Sequence, residues 1–572
     1  MGHRLPLIAQ LREACPGDWV QDLIAGTVTA ILLVPQGMAY ALLAGLPPET
    51  GLYASIVPPL VYALLGTSRA LAVGPVAVAA LMVANALGHY AGGDEARWLT
   101  GALILAAETG LLLLLLGALR MGALVSFISH PVLSGFTSGA ALLIITSQLR
   151  HLTGIDLARG DAFDTVHAAV AHIGEIHWPT AAFAATAIVL LLLARGPLVR
   201  ALSALGVDQQ RALTVSRTAP LAVVAMATAA AAALHASGVQ GLSIVGAIPA
   251  GLPRPDLAFL SAPGWIELAP SAALIALVGY VESVSVAKVL AARRRQKIDA
   301  NRELVALGAG NLAASVAGAM PVAGGFSRSM VNFDAGARTQ LAGIVTAVLV
   351  GLVALLFTGW FHYLPQAVLA AIIVVAVARL IDLDGARRIW RYDRADGLAL
   401  AATFVAVLTL GIEIGLVIGI GLSLALYLWC TSQPHMAVVG RVPGTEHFRN
   451  IKRHTVETDP RVLAIRIDEN LYFANAGQVE DYIARHLASA PQARYLLLVM
   501  AAVNYIDASG LEMLEHLEED LTHAGVTLHL SEVKGPVQDR LKQTHLYARI
   551  ADRIHLTTDR AVRSLTQETE PT

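Results

Sequence analysis

The chain has 572 residues and a formal net charge of −2, and only 14% of its residues are charged. Because soluble globular domains carry about 25% charged residues, this composition excludes an ordinary soluble protein. The nearly neutral charge gives no reason to expect a nucleic-acid partner. Only Cys15 and Cys430 are present, and neither has a metal-ligand neighbour, so we expect no metal site and no cofactor.

Hydrophobic segments, about fourteen in number, recur between Asp22 and Cys430. A helix that crosses a hydrocarbon core of about 30 Å needs roughly 20 apolar residues, so these segments predict a polytopic α-helical membrane protein, although some are too short to cross alone. The approximate segment centres are Ala30, Pro58, Ala80, Leu112, Leu142, Val189, Ala227, Leu277, Ala314, Met330, Val348, Ile373, Val405 and Ile420.

Two of these segments, near Ala80 and Met330, are interrupted by glycine and proline. Each is the third segment in its half of seven. Corresponding broken segments in two halves are typical of a binding site at the membrane midplane in inverted-repeat transporters. We therefore expect the substrate site where these two segments begin.

Basic residues are unevenly divided between alternate loops. One set of loops contains the clusters 293–297 and 387–394, whereas the other set contains isolated arginines such as Arg97 beside acids such as Asp94 and Glu95. Because Lys and Arg concentrate in cytoplasmic loops, we predict a multi-pass protein of the cell (inner) membrane with both termini in the cytoplasm.

The region after the last hydrophobic segment predicts a separate α/β domain. VLAIRID, RYLLLVM and VTLHLSEV are typical of strands, and amphipathic helices are expected between them. The predicted organisation is a cytoplasmic N-terminal segment at 1–20, a transport domain at 21–432, a linker at 433–450, the α/β domain at 451–566 and a tail at 567–572.

Long motifs in the membrane region resemble the SulP family of sulfate permeases. They are VPQGMAYALLAGLPPETGLYASIVPPLVYALLGTSRALAVGPVAV (34–78), ISHPVLSGFTSGAAL (128–142), GYVESVSVAK (279–288) and FSRSMVNFDAGARTQLAG (326–343). The C-terminal region resembles the STAS domain, which sulfate transporters share with anti-sigma-factor antagonists. The resemblance implies a seven-plus-seven inverted repeat, a core bundle that moves against a gate bundle, and a homodimer in the membrane lipid.

An anion site at the broken segments is also expected on physical grounds. Pro75 fits the first position of a helix, and Ser327, preceded by glycines, fits an N-cap. Two half-helices that begin near the midplane would direct free N–H groups and the positive ends of their dipoles to one point. The resemblance agrees and implies that the substrate contacts are Gln36, Tyr40, Val73, Gly74, Val76, Phe326, Ser327 and Arg328. An interhelical hydrogen bond is the alternative role for Gln36.

Three ionisable residues, Arg328, Glu282 and Glu108, fall within the apolar segments. Such residues are costly in a membrane and are therefore candidates for function. We expect Arg328 to bind the anion without a part in folding. The resemblance implies that Glu282 couples a proton, or in bicarbonate relatives helps to hold sodium, and a static pair with Arg328 is the alternative. We expect Glu108 to be structural or to line the gate.

The function predicted is not enzymatic. It is secondary active transport of a small oxyanion, with proton-coupled sulfate uptake by an alternating-access, elevator-like mechanism as the first choice. C4-dicarboxylate or bicarbonate transport and an uncoupled exchanger or channel remain open. The STAS-like domain would regulate or assemble the transporter, with a cytoplasmic protein partner as one option.

Ser509 is the residue of the STAS-like domain with a candidate regulatory role. It lies in the loop Asp507-Ala508-Ser509-Gly510, before a predicted helix. A serine at this place serves as an N-cap without any modification. The resemblance to anti-sigma antagonists implies phosphorylation as the alternative, because the matching serine is phosphorylated in those proteins.

Overall fold

The computed structural model describes residues 6–92, 94–123, 129–157, 162–237 and 241–567. Residues 1–5 of the predicted N-terminal segment and residues 568–572 of the predicted tail lie outside the described residues. The chain divides into two compact units, Met1–Ser423 and Leu424–Thr572, which we describe separately.

The first unit is almost entirely helical. Its helices, the last of which continues past Ser423, are α1 (Pro6–Glu13), α2 (Pro16–Leu43), α3 (Pro48–Tyr53), α4 (Val57–Leu65), α5 (Ala77–Tyr90), α6 (Glu95–Ala118), α7 (His130–Ser147), α8 (Leu149–Thr153), α9 (Ala162–Ala171), α10 (Trp178–Arg195), α11 (Pro197–Ala204), α12 (Gln209–Ala236), α13 (Trp265–Arg293), α14 (Ala300–Val316), α15 (Phe326–Asp334), α16 (Leu341–Leu356), α17 (Gln366–Val377), α18 (Leu383–Tyr392), α19 (Arg394–Leu410) and α20 (Ile412–Ser432). Two short strands, β1 (Val73–Gly74) and β2 (Ala323–Gly324), precede α5 and α15.

The predicted hydrophobic segments are helices in the structure, because all of their centres fall within α2, α4–α7, α10, α12–α17, α19 and α20. Among the described residues, seven helices are long and apolar enough to cross a membrane, or up to eight if the bent pair α10–α11 forms one span. The two broken segments are short: α5 has 14 residues and α15 has 9. Neither reaches the roughly 20 residues of a full span, as expected for half-helices.

The packing of the helices repeats between the two halves. Six helices of the first half can be matched in chain order with six of the second: α2, α4, α5, α6, α7 and α10 with α13, α14, α15, α16, α17 and α19. With this matching, each contact between a helix of one half and a helix of the other should have a counterpart between their matched helices. The contact of α6 with α14 corresponds to that of α16 with α4, and the contact of α5 with α13 corresponds to that of α15 with α2. The contact of α7 with α19 likewise corresponds to that of α17 with α10. This pattern is the seven-plus-seven repeat that the sequence resemblance implied.

A pair of glycines permits a close backbone contact between the halves. A Cβ on Gly110 of α6 would lie 2.8 Å from the carbonyl oxygen of Gly308, and a Cβ on Gly308 of α14 would lie 2.9 Å from that of Gly110. Small residues at helix crossings let two backbones approach in a membrane. The α6–α14 contact therefore requires glycine on both sides.

The second unit contains a six-stranded sheet, in the order β4-β3-β5-β6-β7-β8. Strands β5 to β8 are parallel, and β3 pairs antiparallel with both β4 and β5. The elements are β3 (Met436–Arg441), β4 (Phe448–Asn450), β5 (Val462–Ile467), α21 (Ala476–Ala488), β6 (Tyr495–Val499), α22 (Ala508–His523), β7 (Thr527–Ser531), α23 (Gly535–Leu541), α24 (His545–Ile550), β8 (Ile554–His555) and α25 (Thr558–Gln567).

Two sequence expectations for this unit are wrong. The predicted linker at 433–450 contains β3 and β4, because MAVVGR completes the antiparallel edge of the sheet by pairing with β5. Ser509 is also not the N-cap of α22. The cap is Asp507, whose side chain accepts a hydrogen bond from the Gly510 N–H at 2.8 Å. With the helix starting two residues earlier than expected, the Asp507 carboxylate makes the capping bond to the N–H of the third helical residue.

Candidate anion-binding site

The two half-helices begin on either side of a short antiparallel strand pair. β1 pairs with β2 through Val73 with Gly324 and Gly74 with Ala323. The chain leaves β1 and β2 and enters α5 and α15, so both helices start close to this pairing. The N-caps are Val76 and Gly325, and neither makes a side-chain capping bond.

These caps correct two predictions. Pro75 lies before the N-cap of α5 instead of at its first helical position, since the extended conformation of β1 continues through Val76. Ser327 lies inside the first turn of α15 and is not its cap, because Gly325 takes that position.

Free backbone donors result at both helix starts. The first intrahelical bonds are from Ala80 N to Val76 O at 2.9 Å and from Ser329 N to Gly325 O at 3.0 Å. The N–H groups that precede them have no capping side chain, and the helix dipole gives each start a partial positive charge. The arrangement is suited to an anion without any cluster of basic side chains.

Arg328 is buried, with 2% of its surface exposed, and holds the two broken segments together. Its Nε and Nη2 donate to the carbonyl oxygen of Ala72 at 3.2 and 3.1 Å, and its Nη1 donates to that of Pro75 at 3.1 Å. A longer bond joins Nη2 to the carbonyl of Ala323 at 3.5 Å. These bonds argue against the expectation that Arg328 has no part in folding, and the melting temperature of Arg328→Ala tests it. Because a guanidinium has five N–H donors, these four bonds leave one donor over.

Glycines on both segments make room for this guanidinium. A Cβ on Gly74 would lie 3.2 Å from Nη2 of Arg328, and a Cβ on Gly325 would lie 3.3 Å from the same atom. Since few real Cβ atoms approach so closely, a larger residue at either position would displace Arg328. Gly74 thus supports the site without touching its cavity.

A small cavity lies in front of the two helix starts. It is lined by Gln36, Tyr40, Pro75, Val76, Ala77, Val78, Glu282, Gly325, Phe326, Ser327, Arg328, Ala376, Val377 and Leu380. The structure therefore brings seven of the nine predicted transport-site residues together. Val73 and Gly74 do not line this cavity, because they form the strand pair behind it. Ala376, Val377 and Leu380, at the end of α17 and just after it, were missed because apolar side chains in an apolar helix give no signal in the sequence.

Gln36 and Tyr40 form one polar unit on α2. The Gln36 side chain donates from Nε2 to the Tyr40 hydroxyl at 2.7 Å. The hydroxyl hydrogen of Tyr40 is then free to donate to a group in the cavity. Oε1 of Gln36 is buried and has no hydrogen-bond partner among the described residues. If the Gln36 amide group is turned by about 180°, its oxygen and nitrogen exchange places, and the NH₂ group instead of Oε1 would face a ligand.

Glu282 lies on α13 and faces the same cavity. Among the described residues it has no hydrogen bond or ion pair, although Arg328 lines the same cavity. Its neighbour Ser283 accepts a hydrogen bond from the Gly324 N–H at 2.7 Å, which fixes this part of α13 to β2. Glu282 is therefore held at the site while its carboxyl group is left without a direct partner.

Glu108 of α6 does not line this cavity. It is buried, and its Oε2 has no hydrogen-bond partner among the described residues. Among the described residues, no hydrogen bond joins Glu108 to the lining of the cavity at the two helix starts.

Comparisons with known proteins agree on one family. The sequence pattern of the Sulfate permease family matches residues 20–403, and that of the STAS domain matches residues 453–561. Sulfate transporter 4.1, chloroplastic, of Arabidopsis thaliana is 38% identical over 89% of this chain and 74% of its own length. The probable sulfate transporter Rv1739c of Mycobacterium tuberculosis is 35% identical over 98% of this chain and 97% of its own length.

Solved structures agree on the fold. The murine solute carrier 26 family member A9 anion transporter, in an inward-facing state, matches with a TM-score of 0.89 over 98% of this chain and 94% of that chain, at 24% identity. The transmembrane domain of the cyanobacterial bicarbonate transporter BicA matches with a TM-score of 0.60 over 71% of this chain and 98% of that chain, at 22% identity.

Proposed function

The chain belongs to the sulfate permease family, and from this premise we propose that it takes up sulfate together with protons. It is a multi-pass membrane anion transporter with a STAS domain, and its relatives are transporters, not enzymes. The identity of the anion, the coupling ion and the mechanism are the parts that we propose.

One observation carries the proposal: two uncapped helix starts and the buried Arg328 surround a single cavity. A tetrahedral dianion has oxygens on all sides and can accept hydrogen bonds from both helix starts at once. Ser327 and Tyr40 supply further hydroxyl donors at the cavity wall. These groups suit sulfate, and Sulfate transporter 4.1 carries the same substrate in its name.

Glu282 is the proposed proton carrier. When its carboxyl group is ionised, it competes with the anion for the positive charge of Arg328. When it is protonated, that charge is available to sulfate, so anion and proton favour each other's binding. Moving one elementary charge against 100 mV costs about 2.3 kcal/mol, so each accompanying proton lowers the cost of bringing a dianion into a cell with a negative interior.

Alternating access is proposed to occur by an elevator-like movement. The cavity is bounded by α2, α5, α13 and α15 on one side and by the end of α17 on the other. The strand pair and Arg328 tie α5 and α15 into one body, while the α17 residues contribute only apolar side chains. We propose that the first group of helices carries the anion past the second.

The remaining proposals concern orientation and regulation. We propose that both termini are cytoplasmic in the cell membrane, that two copies form a homodimer, and that the STAS domain regulates or assembles the transporter through a cytoplasmic protein. Ser509 has no hydrogen bond among the described residues, so its hydroxyl group is available for phosphorylation. Mass spectrometry of the protein from its native cells would test this modification.

Uptake into proteoliposomes tests the function. Radiolabelled sulfate, fumarate and bicarbonate are each offered with and without a pH gradient and a sodium gradient. We expect sulfate to accumulate only with the pH gradient. Fumarate or bicarbonate uptake with no competition from sulfate would identify a dicarboxylate or bicarbonate transporter. Accumulation that requires the sodium gradient would show that sodium, not the proton, is the coupling ion. Sulfate movement that neither gradient drives uphill would indicate an exchanger or channel.

A further inference from the structure

A cleft rich in cationic side chains lies where the loop between α13 and α14 meets α1. This basic cleft is lined by Pro6, Ala9, Gln10, Thr67, Arg69, Arg295, Gln296, Lys297 and Arg302. It shares no residue with the cavity at the two helix starts. Its volume is about 410 Å³, and since a water occupies about 30 Å³, it has room for a group much larger than one water.

The cationic side chains exceed their counterions. Arg69 forms an ion pair with Glu13 of α1, and Nε of Arg302 lies 3.7 Å from Oδ2 of Asp299. Among the described residues, Arg295 and Lys297 have no ion pair. The carboxylate of Glu303 also adjoins the cleft, because it accepts hydrogen bonds from Thr67, so four cations against three carboxylates leave an excess of one positive charge.

A buried amide without a partner provides an independent indication of a ligand. Gln10 is 4% exposed, and its Oε1 accepts a hydrogen bond from the Gln340 N–H at 3.0 Å. Its Nε2 is buried and has no hydrogen-bond partner among the described residues, although Gln10 lines the cleft. A buried donor left unpaired costs free energy, so an acceptor is expected there.

We propose that the basic cleft binds the phosphate group of an anionic ligand, either a phospholipid headgroup or a soluble phosphate compound. Arginine matches phosphate oxygens through its fork of N–H donors, lysine adds a point charge, and the Gln10 amide supplies a neutral donor. Basic pockets beside membrane helices are suited to lipid headgroups. This site is separate from the proposed sulfate site and does not depend on the proposed substrate.

Occupation of the cleft would reach the transport site through α1. Gln10 holds the Gln340 N–H, and Nε2 of Gln340 donates to the carbonyl oxygens of Ser68 at 2.5 Å and Leu71 at 3.1 Å. The next residue, Ala72, accepts the hydrogen bonds of Arg328. A ligand that fixes α1 therefore stabilises the segment that carries β1.

The full-length protein is tested with two probes. Native mass spectrometry counts phosphatidylglycerol retained from nanodiscs that contain phosphatidylcholine and phosphatidylglycerol, and thermal unfolding is followed as inorganic phosphate is added. Because each cation near an anionic surface strengthens the binding of an anion there, we expect the double variant Arg295→Gln/Lys297→Gln to weaken binding by about tenfold or more. The control Arg387→Gln/Arg388→Gln removes two exposed cations of α18 outside the cleft.

A second variant tests the orphaned amide. Gln10→Glu keeps an oxygen for the Gln340 N–H but replaces the unpaired donor with a carboxylate oxygen, so we expect it to weaken binding as well. Retention of phosphatidylglycerol alone identifies the lipid as the source, and stabilisation by inorganic phosphate alone identifies a soluble compound. The proposal is overturned if both probes bind equally to the wild type, the double variant and Gln10→Glu. It is also overturned if the wild type binds neither phosphatidylglycerol nor inorganic phosphate.

Discussion

Arg328 donates two hydrogen bonds to the carbonyl oxygen of Ala72, from Nε at 3.2 Å and from Nη2 at 3.1 Å. A third bond reaches the carbonyl of Pro75. One buried guanidinium on α15 thus holds the segment that leads into α5. The guanidinium of Arg328 therefore has two roles: we propose that its charge attracts the anion, and its hydrogen bonds set the distance between the two helix starts.

The first prediction separates these two roles of Arg328. Arg328→Ala leaves the buried Pro75 carbonyl without a donor among the described residues and leaves Ala72 with only the Gly325 N–H at 3.3 Å. An unpaired buried carbonyl costs about 1–3 kcal/mol, so we expect a lower melting temperature together with weaker sulfate binding. Arg328→Lys keeps the charge without the fork of donors and should retain more affinity than alanine. Thermal unfolding and calorimetric titration measure both, with Arg391→Ala on α18 as the control. A wild-type melting temperature for Arg328→Ala would show that the side chain serves the anion alone.

The second prediction concerns the Tyr40 hydroxyl. Tyr40→Phe removes the acceptor of the Gln36 amide and a donor at the cavity wall. A hydrogen bond contributes about 0.5–1.5 kcal/mol, so sulfate binding should weaken by roughly two- to tenfold. Calorimetry compares it with Tyr427→Phe, a change at an exposed position of α20. Equal affinity in both variants would assign Tyr40 and Gln36 to helix packing.

The third prediction is that the STAS domain takes no part in anion binding. Removal of all residues after Ser432, the end of α20, should leave the sulfate affinity of the transport domain unchanged. A chain cut after Arg441 is less suitable, because it keeps β3 without its partner strands β4 and β5. Calorimetry on the purified domain provides the measurement. A folded domain without any sulfate binding would show that the STAS domain completes the site.

The fourth prediction is a pH dependence within the STAS domain. His529 of β7 lies 3.1 Å from His555 of β8, and burial, with the neighbouring histidine, lowers the pKa of His529 from 6.5 to about 4. Between these values the unfolded chain binds a proton that the folded domain does not, so the free energy of unfolding falls as the pH is lowered from 6.5 to 4.

Chemical denaturation of the STAS domain over this pH range measures the effect. His529→Gln should flatten the part of the pH dependence that comes from this residue, whereas His516→Gln, at an exposed position of α22, should leave it unchanged. Identical pH profiles for the wild type and His529→Gln would contradict the prediction.

The sequence predicted the helices well but their ends poorly. Long apolar segments must be helical in a membrane, so every predicted centre falls in a helix. The starts of α5 and α15 were misplaced because Val76 and Gly325 cap them with no side-chain signal. The strand β3 was read as a linker, since its pairing with β5 depends on residues far along the chain.

The candidate site was predicted in outline. Motifs placed Gln36, Tyr40, Glu282 and Arg328 at one cavity, where the structure also has them. The bonds from Arg328 to Ala72 and Pro75 could not be predicted, because backbone carbonyls are present at every residue and carry no sequence signal. The end of α17 could not be recognised as part of the cavity wall, because apolar side chains in an apolar helix give no signal in the sequence.

The most direct test of the proposed coupling measures proton entry during sulfate uptake. Proteoliposomes with a trapped pH-sensitive dye receive external sulfate at equal pH on both sides, with the membrane potential clamped. We predict that sulfate entry acidifies the lumen for the wild type. For Glu282→Gln we predict sulfate exchange without acidification. Sulfate entry into wild-type proteoliposomes with no change in luminal pH would contradict proton-coupled transport.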